Sequence, residues 1–247
     1  MRVLGIDIGG SGIKGAIVNI KTGKFESKRI RFNTPVGATP KAVSHVVAEL
    51  TKELKWKGRI GVGFPAVVKK QKTLTASNVS NSWIGLDASK LLSKATGSTV
   101  TVLNDADAAA LAECEFGRSR LDKGLIVFIT IGTGLGTALL YNGRLIPNTE
   151  LGHLKLGKVG SAEVYAADSV RKLKELTWRA WAVRFNKYLA EMEFLMHPDM
   201  FVIGGGVSKQ PELFMPYLKV KAPIHMAKLK NQAGIIGAAL ATRQPPI

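Results

Sequence analysis

Two carboxylates and three glycine turns hold most of the chemistry this sequence offers. The stretch from residue 4 to 20, LGIDIGGSGIKGAIVNI, sets one acid, Asp7, inside an apolar run and follows it with Gly9, Gly10, Ser11 and Gly12. Glycines there permit backbone conformations and close approaches that a side chain would block, so the loop can aim bare N–H groups at an anion. The G-x-G-x-x-G match at Gly10, Gly12 and Gly15 is not a dinucleotide fingerprint, because that motif must open a helix. Here the β-rich Ala16, Ile17, Val18 and Ile20 follow and end at a turn over 21–24, which predicts a hairpin. No Gly-Lys-Ser/Thr closes the loop, so it is not a Walker loop either. An ordinary hairpin with no ligand suits these residues equally well.

The second acid is Asp105, which follows Asn104 between a predicted strand over 100–103 and an alanine-rich helix over 106–116. A carboxylate at a helix N-terminus stays ionised and can accept a proton from an alcohol. Plain N-capping by Asp105 or Asp107 accounts for the same residues. Gly132-Thr133-Gly134-Leu135-Gly136 then separates strands over 125–131 and 137–141, repeating the strand, glycine turn, strand pattern of the opening. The repetition suggests two lobes, each presenting a loop to a shared phosphate chain. Gly204, Gly205 and Gly206 form a third turn after a strand over 201–203. Asn78 can offer a donor and an acceptor to a sugar hydroxyl, or simply make turn bonds. Glu150, His153 and Glu163 suit a polyol, and His153 with no cysteine nearby is a poor metal ligand.

These residues need elements to position them. A third strand is predicted over 25–32, carrying Lys28, Arg29 and Arg31, then an amphipathic helix over 41–54 and a strand over 60–64. Gly63, Pro65 and Ala66 make a rigid turn at that strand's carboxyl edge, and Lys69, Lys70 and Lys72 follow in a tight segment. The polar segment 76–86 carries an exposed-type Trp83 and leads to a helix starting near Asp87. Residues 168–196 read as one helix with an apolar stripe of Trp178, Trp181, Phe185, Tyr188, Leu189, Met192 and Leu195, serving the core or a dimer contact. A proline-interrupted helix over 207–218, a small-residue helix over 234–241 and a loose tail over 243–247 complete the chain.

The 247 residues and 46% hydrophobic content allow two modest cores. The single cysteine, Cys114, excludes an internal disulfide and a cysteine-clustered zinc site, and fits a reducing, intracellular setting. No signal peptide opens the chain and no stretch is long enough to span a membrane. The net charge of +17 is unevenly spread: residues 1–75 hold fifteen Lys/Arg against four Asp/Glu, and residues 76–200 hold fourteen against thirteen. A polycationic first lobe suggests a polyanionic ligand, although charge alone does not say which.

In order, DIGGSGIK, GFPAVV, NVSNSWIG, NDADAAALAE, TIGTGLGTAL, ELGH, GSAE, VIGGGVS and NQAGIIGAAL resemble the ROK sugar kinases over nearly the full chain. The resemblance implies an α/β, two-lobed actin-like ATPase (ribonuclease H-like) fold with a glycine-loop hairpin in each lobe. Residues 1–104 would form the first lobe, 105–230 the second, and 231–247 a helix packing back on the first. Asp105 would be the base on the sugar 6-hydroxyl, with Asn78, Asn104, Glu150, His153 and Glu163 on the other hydroxyls. Asp7, Gly9, Gly10, Ser11, Gly12 and Lys14 would hold the donor and its Mg²⁺, which Asp7 meets directly or through water. Gly132, Thr133 and Gly134 would hold the transferred phosphoryl group, and Gly204 to Gly206 the nucleotide side.

The stretch LKLGKVGSAE lacks the cysteine-rich zinc segment of most ROK kinases, so no structural zinc is expected, and the short form is shared with polyphosphate-using members. The resemblance therefore implies glucose as acceptor, with inorganic polyphosphate and ATP as donors, in a cytoplasmic homodimer bound to neither membrane nor nucleic acid. An ATP-only hexokinase, a mannose kinase and a sugar-sensing DNA-binding regulator are the alternatives. Against the last, no helix-turn-helix precedes the first strand.

Overall fold

The computed structural model describes residues 1–117 and 121–243, and the chain divides into two compact units. The first is Met1–Phe116 with the segment from Gln232 onward; the second is Gly117–Asn231.

In the first unit, β1 (Arg2–Gly9) and β2 (Gly12–Asn19) form the expected hairpin, followed by β3 (Lys24–Phe25) and β4 (Ile30–Phe32). Next come α1 (Pro40–Glu53), β5 (Ile60–Phe64), the small hairpin β6 (Val68–Lys69) and β7 (Lys72–Thr73), α2 (Ala88–Thr96), β8 (Val100–Asn104) and α3 (Asp105–Phe116). The main sheet runs β3-β2-β1-β5-β8, with β4 also on β2; β1, β5 and β8 are parallel and β1–β2 is antiparallel. All five residues of β5 are buried, as a central parallel strand covered on both faces requires. Thr39 caps α1, Pro40 starts it, and Val43, Val47 and Leu50 line its buried side.

The second unit contains β9 (Leu125–Ile131), β10 (Leu135–Tyr141), β11 (Arg144–Ile146), α4 (Ala162–Ala166), α5 (Asp168–Leu173), α6 (Trp178–Met196), β12 (Met200–Gly205) and β13 (Ile224–Met226). Its sheet order, β11-β10-β9-β12-β13, has the same pattern as the first: an antiparallel meander followed by parallel strands. The repetition of glycine turns in the sequence thus reflects a repeated sheet. Trp181 stacks on Phe185 with ring centroids 5.2 Å apart, and its indole N–H donates to the carbonyl of Ala166 at 2.8 Å.

The last helix, α7 (Ala233–Ala241), returns to the first unit. A Cβ on Gly5 or Gly61 would strike its backbone, and one on Gly237 would strike α3, so the small residues of this helix allow contact at backbone distance.

The boundary between units follows Phe116 rather than Asn104, because α3 packs on α7 within the first unit. The strand expected over 25–32 is broken, since the Ser27 hydroxyl accepts from the Ile17 amide at 2.9 Å where a strand carbonyl would have done so. Trp83 is fully buried against Phe64, its N–H donating to the Ala38 carbonyl at 3.0 Å, so the polar residues around it misled the exposed reading. The helix expected over 168–196 ends at Leu173 and restarts at Trp178, with Glu175 at φ 48° and Thr177 capping the new start. Residues 207–218 are separate 3-10 turns, because Pro211 and Pro216 remove the N–H groups a continuous helix needs. Arg243 is anchored to the Ile20 carbonyl, so it is not loose, and the remainder of the expected tail lies outside the described residues.

Candidate active site

In the first unit, Asp7 and Lys14 are directly opposite in the β1–β2 ladder, which puts both side chains on one face. The Lys14 ammonium lies 3.5 Å from the Asp7 carboxylate. A Cβ on Gly234 would come within 3.1 Å of that carboxylate, which therefore faces the first turn of α7, where negative charge is favoured. Only 20% of the Asp7 side chain is exposed. Burial raises its pKa above the ordinary 3.8, and Lys14 opposes the rise. A lone, partly exposed carboxylate suits Mg²⁺, which takes one or two carboxylates and fills its remaining positions with water and substrate phosphate.

The first glycine turn works by space rather than by unusual conformation. None of Gly9, Gly10 and Gly12 has a positive φ. A Cβ on Gly12 would lie 2.7 Å from the Arg31 guanidinium, and one on Gly10 would lie 3.0 Å from Cβ of Asn78. Asn78, held at φ 60°, is thus brought against the turn. Two side chains grip the turn's carbonyls: the Thr34 hydroxyl donates to Gly9 O at 2.5 Å, and Arg31 donates to Ser11 O at 2.9 Å.

Asp105 is the first residue of α3, and the residue capping that helix is Asn104, not Asp105 or Asp107. The Asn104 side-chain oxygen accepts from the amides of Ala106 and Asp107, and its NH₂ donates to the Ala66 carbonyl at 3.1 Å. Asn104 is only 6% exposed, whereas Asp105 is half-buried and accepts from the Ala106 amide at 2.8 Å.

In the second unit, the turn from Gly132 to Gly134 adjoins Glu163, whose carboxylate accepts from the Leu135 amide at 2.9 Å and occupies the space a Gly134 side chain would need. His153 ends a 3-10 turn, Leu151–His153, with Nδ1 3.7 Å from the Glu150 carboxylate. Burial raises the Glu150 pKa, His153 opposes the shift, and the charge of Glu163 adds to it. The three residues expected to bind a polyol therefore form one electrostatic group. Gly205 pairs with Ile131 where β12 runs beside β9, so the third glycine turn is adjacent to the second. Its φ of 80° and close approach to the Ile131 backbone both require glycine.

The expected site residues thus fall into two sets, one in each unit. Sequence reasoning missed Thr34 and Gly234, and it gave Arg31 only a general cationic role. No local pattern marks them, since Thr34 and Arg31 act on residues 25 and 20 positions away.

The chain matches the ROK family over residues 3–164. It is 45% identical over 239 residues to a polyphosphate glucokinase of Mycobacterium tuberculosis, covering 96% of this chain and 90% of the relative. A polyphosphate glucokinase of Mycobacterium leprae is also 45% identical, over 243 residues covering 98% and 74%. The crystal structure of an inorganic polyphosphate/ATP-glucomannokinase from an Arthrobacter species superposes with a TM-score of 0.94 at 40% identity, covering 98% of this chain and 99% of that one.

Proposed function

Because this chain belongs to the ROK family, we propose that it transfers a phosphoryl group from inorganic polyphosphate, and also from ATP, to the 6-hydroxyl of glucose. The observation that carries this reading is 45% identity to polyphosphate glucokinases over nearly the whole chain.

Phosphoryl transfer asks a protein mainly to position the reactants and neutralise charge. Asp105 accepts the proton of the sugar 6-hydroxyl as that oxygen bonds to the terminal phosphorus. The bond from phosphorus to the donor's bridging oxygen breaks, and the electron pair leaves with the shortened polyphosphate or ADP. Asn104 serves by capping the helix that presents Asp105. Asn78, Glu150, His153 and Glu163 hold the other hydroxyls. Lys14 and the amides of the first turn neutralise donor charge, the second turn receives the moving phosphoryl group, and Gly204 to Gly206 serve the nucleotide side when ATP is the donor. Asp7 would hold Mg²⁺, directly or through water, and the ion when bound would supply further charge neutralisation on the donor.

Polyphosphate is a linear polyanion, so Lys28, Arg29 and Arg31 with the hairpin cations Lys69, Lys70 and Lys72 form its track in this reading. The hairpin is firmly seated, because the Gln71 side chain bonds both the amide and the carbonyl of Val102 on β8, at 2.8 and 3.2 Å. We take the protein to work in the cytoplasm as a homodimer. Mannose is a second acceptor on this reading, since the Arthrobacter enzyme of 40% identity is a glucomannokinase.

Phosphorylation of glucose and mannose, each with polyphosphate and with ATP at equal Mg²⁺, tests the proposal. Glucose 6-phosphate formed from polyphosphate is the expected result; formation from ATP alone would overturn the donor assignment.

A further inference from the structure

The second glycine turn is held from behind by a residue that neither its motif nor the sugar-binding set includes. Ser169 is the second residue of α5, and it bonds two consecutive carbonyls of the turn. Its amide donates to Gly132 O at 3.2 Å and its hydroxyl donates to Thr133 O at 2.5 Å. In a planar trans peptide the C=O and N–H point in opposite directions. Drawing both carbonyls toward Ser169 therefore turns the amides of Thr133 and Gly134 away from it, side by side.

The ends of the turn are fixed as well. The Gly132 amide donates to Gly134 O at 3.0 Å, and the Leu135 amide donates to Glu163 at 2.9 Å. Among the described residues, none accepts from the amides of Thr133 or Gly134. A Cβ on Gly132 would meet nothing within 4 Å, and Thr133 is exposed, so the space beside these two residues is open. Two adjacent amides facing open space make an anion-binding concavity.

Ser169 is itself rigidly placed. Its neighbour Asp168 is bound by Arg171 and Lys172, each at 2.7 Å, and the Arg171 guanidinium lies 4.0 Å from the centre of the Trp178 ring.

We propose that Ser169 is a positioning residue that sets the Thr133 and Gly134 amides to receive the transferred phosphoryl group. The role of that group rests on the kinase reading above. The orientation of the amides does not, so the two can fail separately.

Ser169→Ala removes the hydroxyl tether and keeps the amide tether, while Ser169→Thr keeps both. Since a receptor displaced by a fraction of an ångström loses much of its effect, Ser169→Ala should lower kcat about tenfold or more with polyphosphate and with ATP alike. The KM for glucose and the melting temperature should stay near wild type, and Ser169→Thr should restore kcat. Titration of ¹⁵N-labelled protein with pyrophosphate supplies a readout that needs no turnover. The Thr133 and Gly134 amide signals should shift saturably in the wild type and require about tenfold more pyrophosphate in Ser169→Ala. Wild-type kcat in Ser169→Ala, or equal pyrophosphate responses in the two proteins, would overturn the role of Ser169. A wild type that binds pyrophosphate at these amides but phosphorylates no sugar would instead overturn the kinase reading and leave the positioning role supported.

Discussion

The two glycine turns solve one problem with different chemistry. In the first, the carbonyls of Gly9 and Ser11 are held by a hydroxyl, Thr34, and a guanidinium, Arg31, with the Asp7–Lys14 pair alongside. In the second, among the described residues, the carbonyls of Gly132 and Thr133 are both held by Ser169, and the neighbouring side chain is the acid Glu163. Both tie down carbonyls so that the turn keeps one shape. The first also has a cation, Arg31, bonded directly to the turn, whose charge a polyanionic donor can use over distance. The second offers oriented amides and the Thr133 hydroxyl, which act on a group in contact. The first turn should therefore govern donor affinity, and the second the rate of transfer whatever the donor.

The largest expected effect bounds that comparison from outside. If both turns only position reactants, removing the proposed proton acceptor must cost more than damage to either. Asp105→Asn should lower kcat about a thousandfold while glucose binding, measured by calorimetry, stays largely intact. Retained turnover would remove Asp105 as the base.

The second turn can be probed through its neighbour. Gly134→Ala drives a methyl group into the Glu163 carboxylate and should displace it from the Leu135 amide. The expected result is a loss in kcat/KM for glucose of about thirtyfold, equal for the two donors. A loss confined to polyphosphate would break the division of labour between the turns.

On the first turn, Arg31→Ala should raise the KM for polyphosphate about tenfold at low salt and leave the KM for glucose unchanged. The difference from wild type should narrow as salt is added, because screening weakens the charge that was removed. An equal rise in both KM values would show that Arg31 acts only on the shape of the turn.

The smallest effect concerns stability beneath the second turn. Burial works against the Asp168 charge, but Lys172 and Arg171 outweigh it and hold the pKa below the ordinary 3.8. A lowered native pKa means stabilisation that is complete above the unfolded value and is lost as pH falls through the native one. Because Lys172 is largely exposed, Asp168→Asn should cost only about 1 kcal/mol in urea unfolding at pH 7, and the deficit should shrink toward pH 3. A deficit independent of pH would mean that packing, rather than the ion pairs, is what Asp168 contributes.

The sequence by itself determined the features that are local. Hydrophobic runs marked β1, β5, β8 and β9, glycine clusters marked the three turns, and a strand running into an alanine-rich helix placed Asp105 at their junction. Those patterns involve neighbours in the chain, whose spacing directly expresses the period of a strand or helix. The ROK resemblance was legible for the same reason, since each of its motifs is a short contiguous string. Tertiary structure alone decided what the motifs rest on. Asn104 rather than an aspartate caps α3, Trp83 is buried by Phe64 and Ala38, and the turns are gripped by Thr34, Arg31 and Ser169. A serine that bonds a carbonyl 36 residues earlier looks, in sequence, like any serine at the start of a helix. Its partner is chosen by the packing of α5 beside the second sheet, and no local preference encodes that choice.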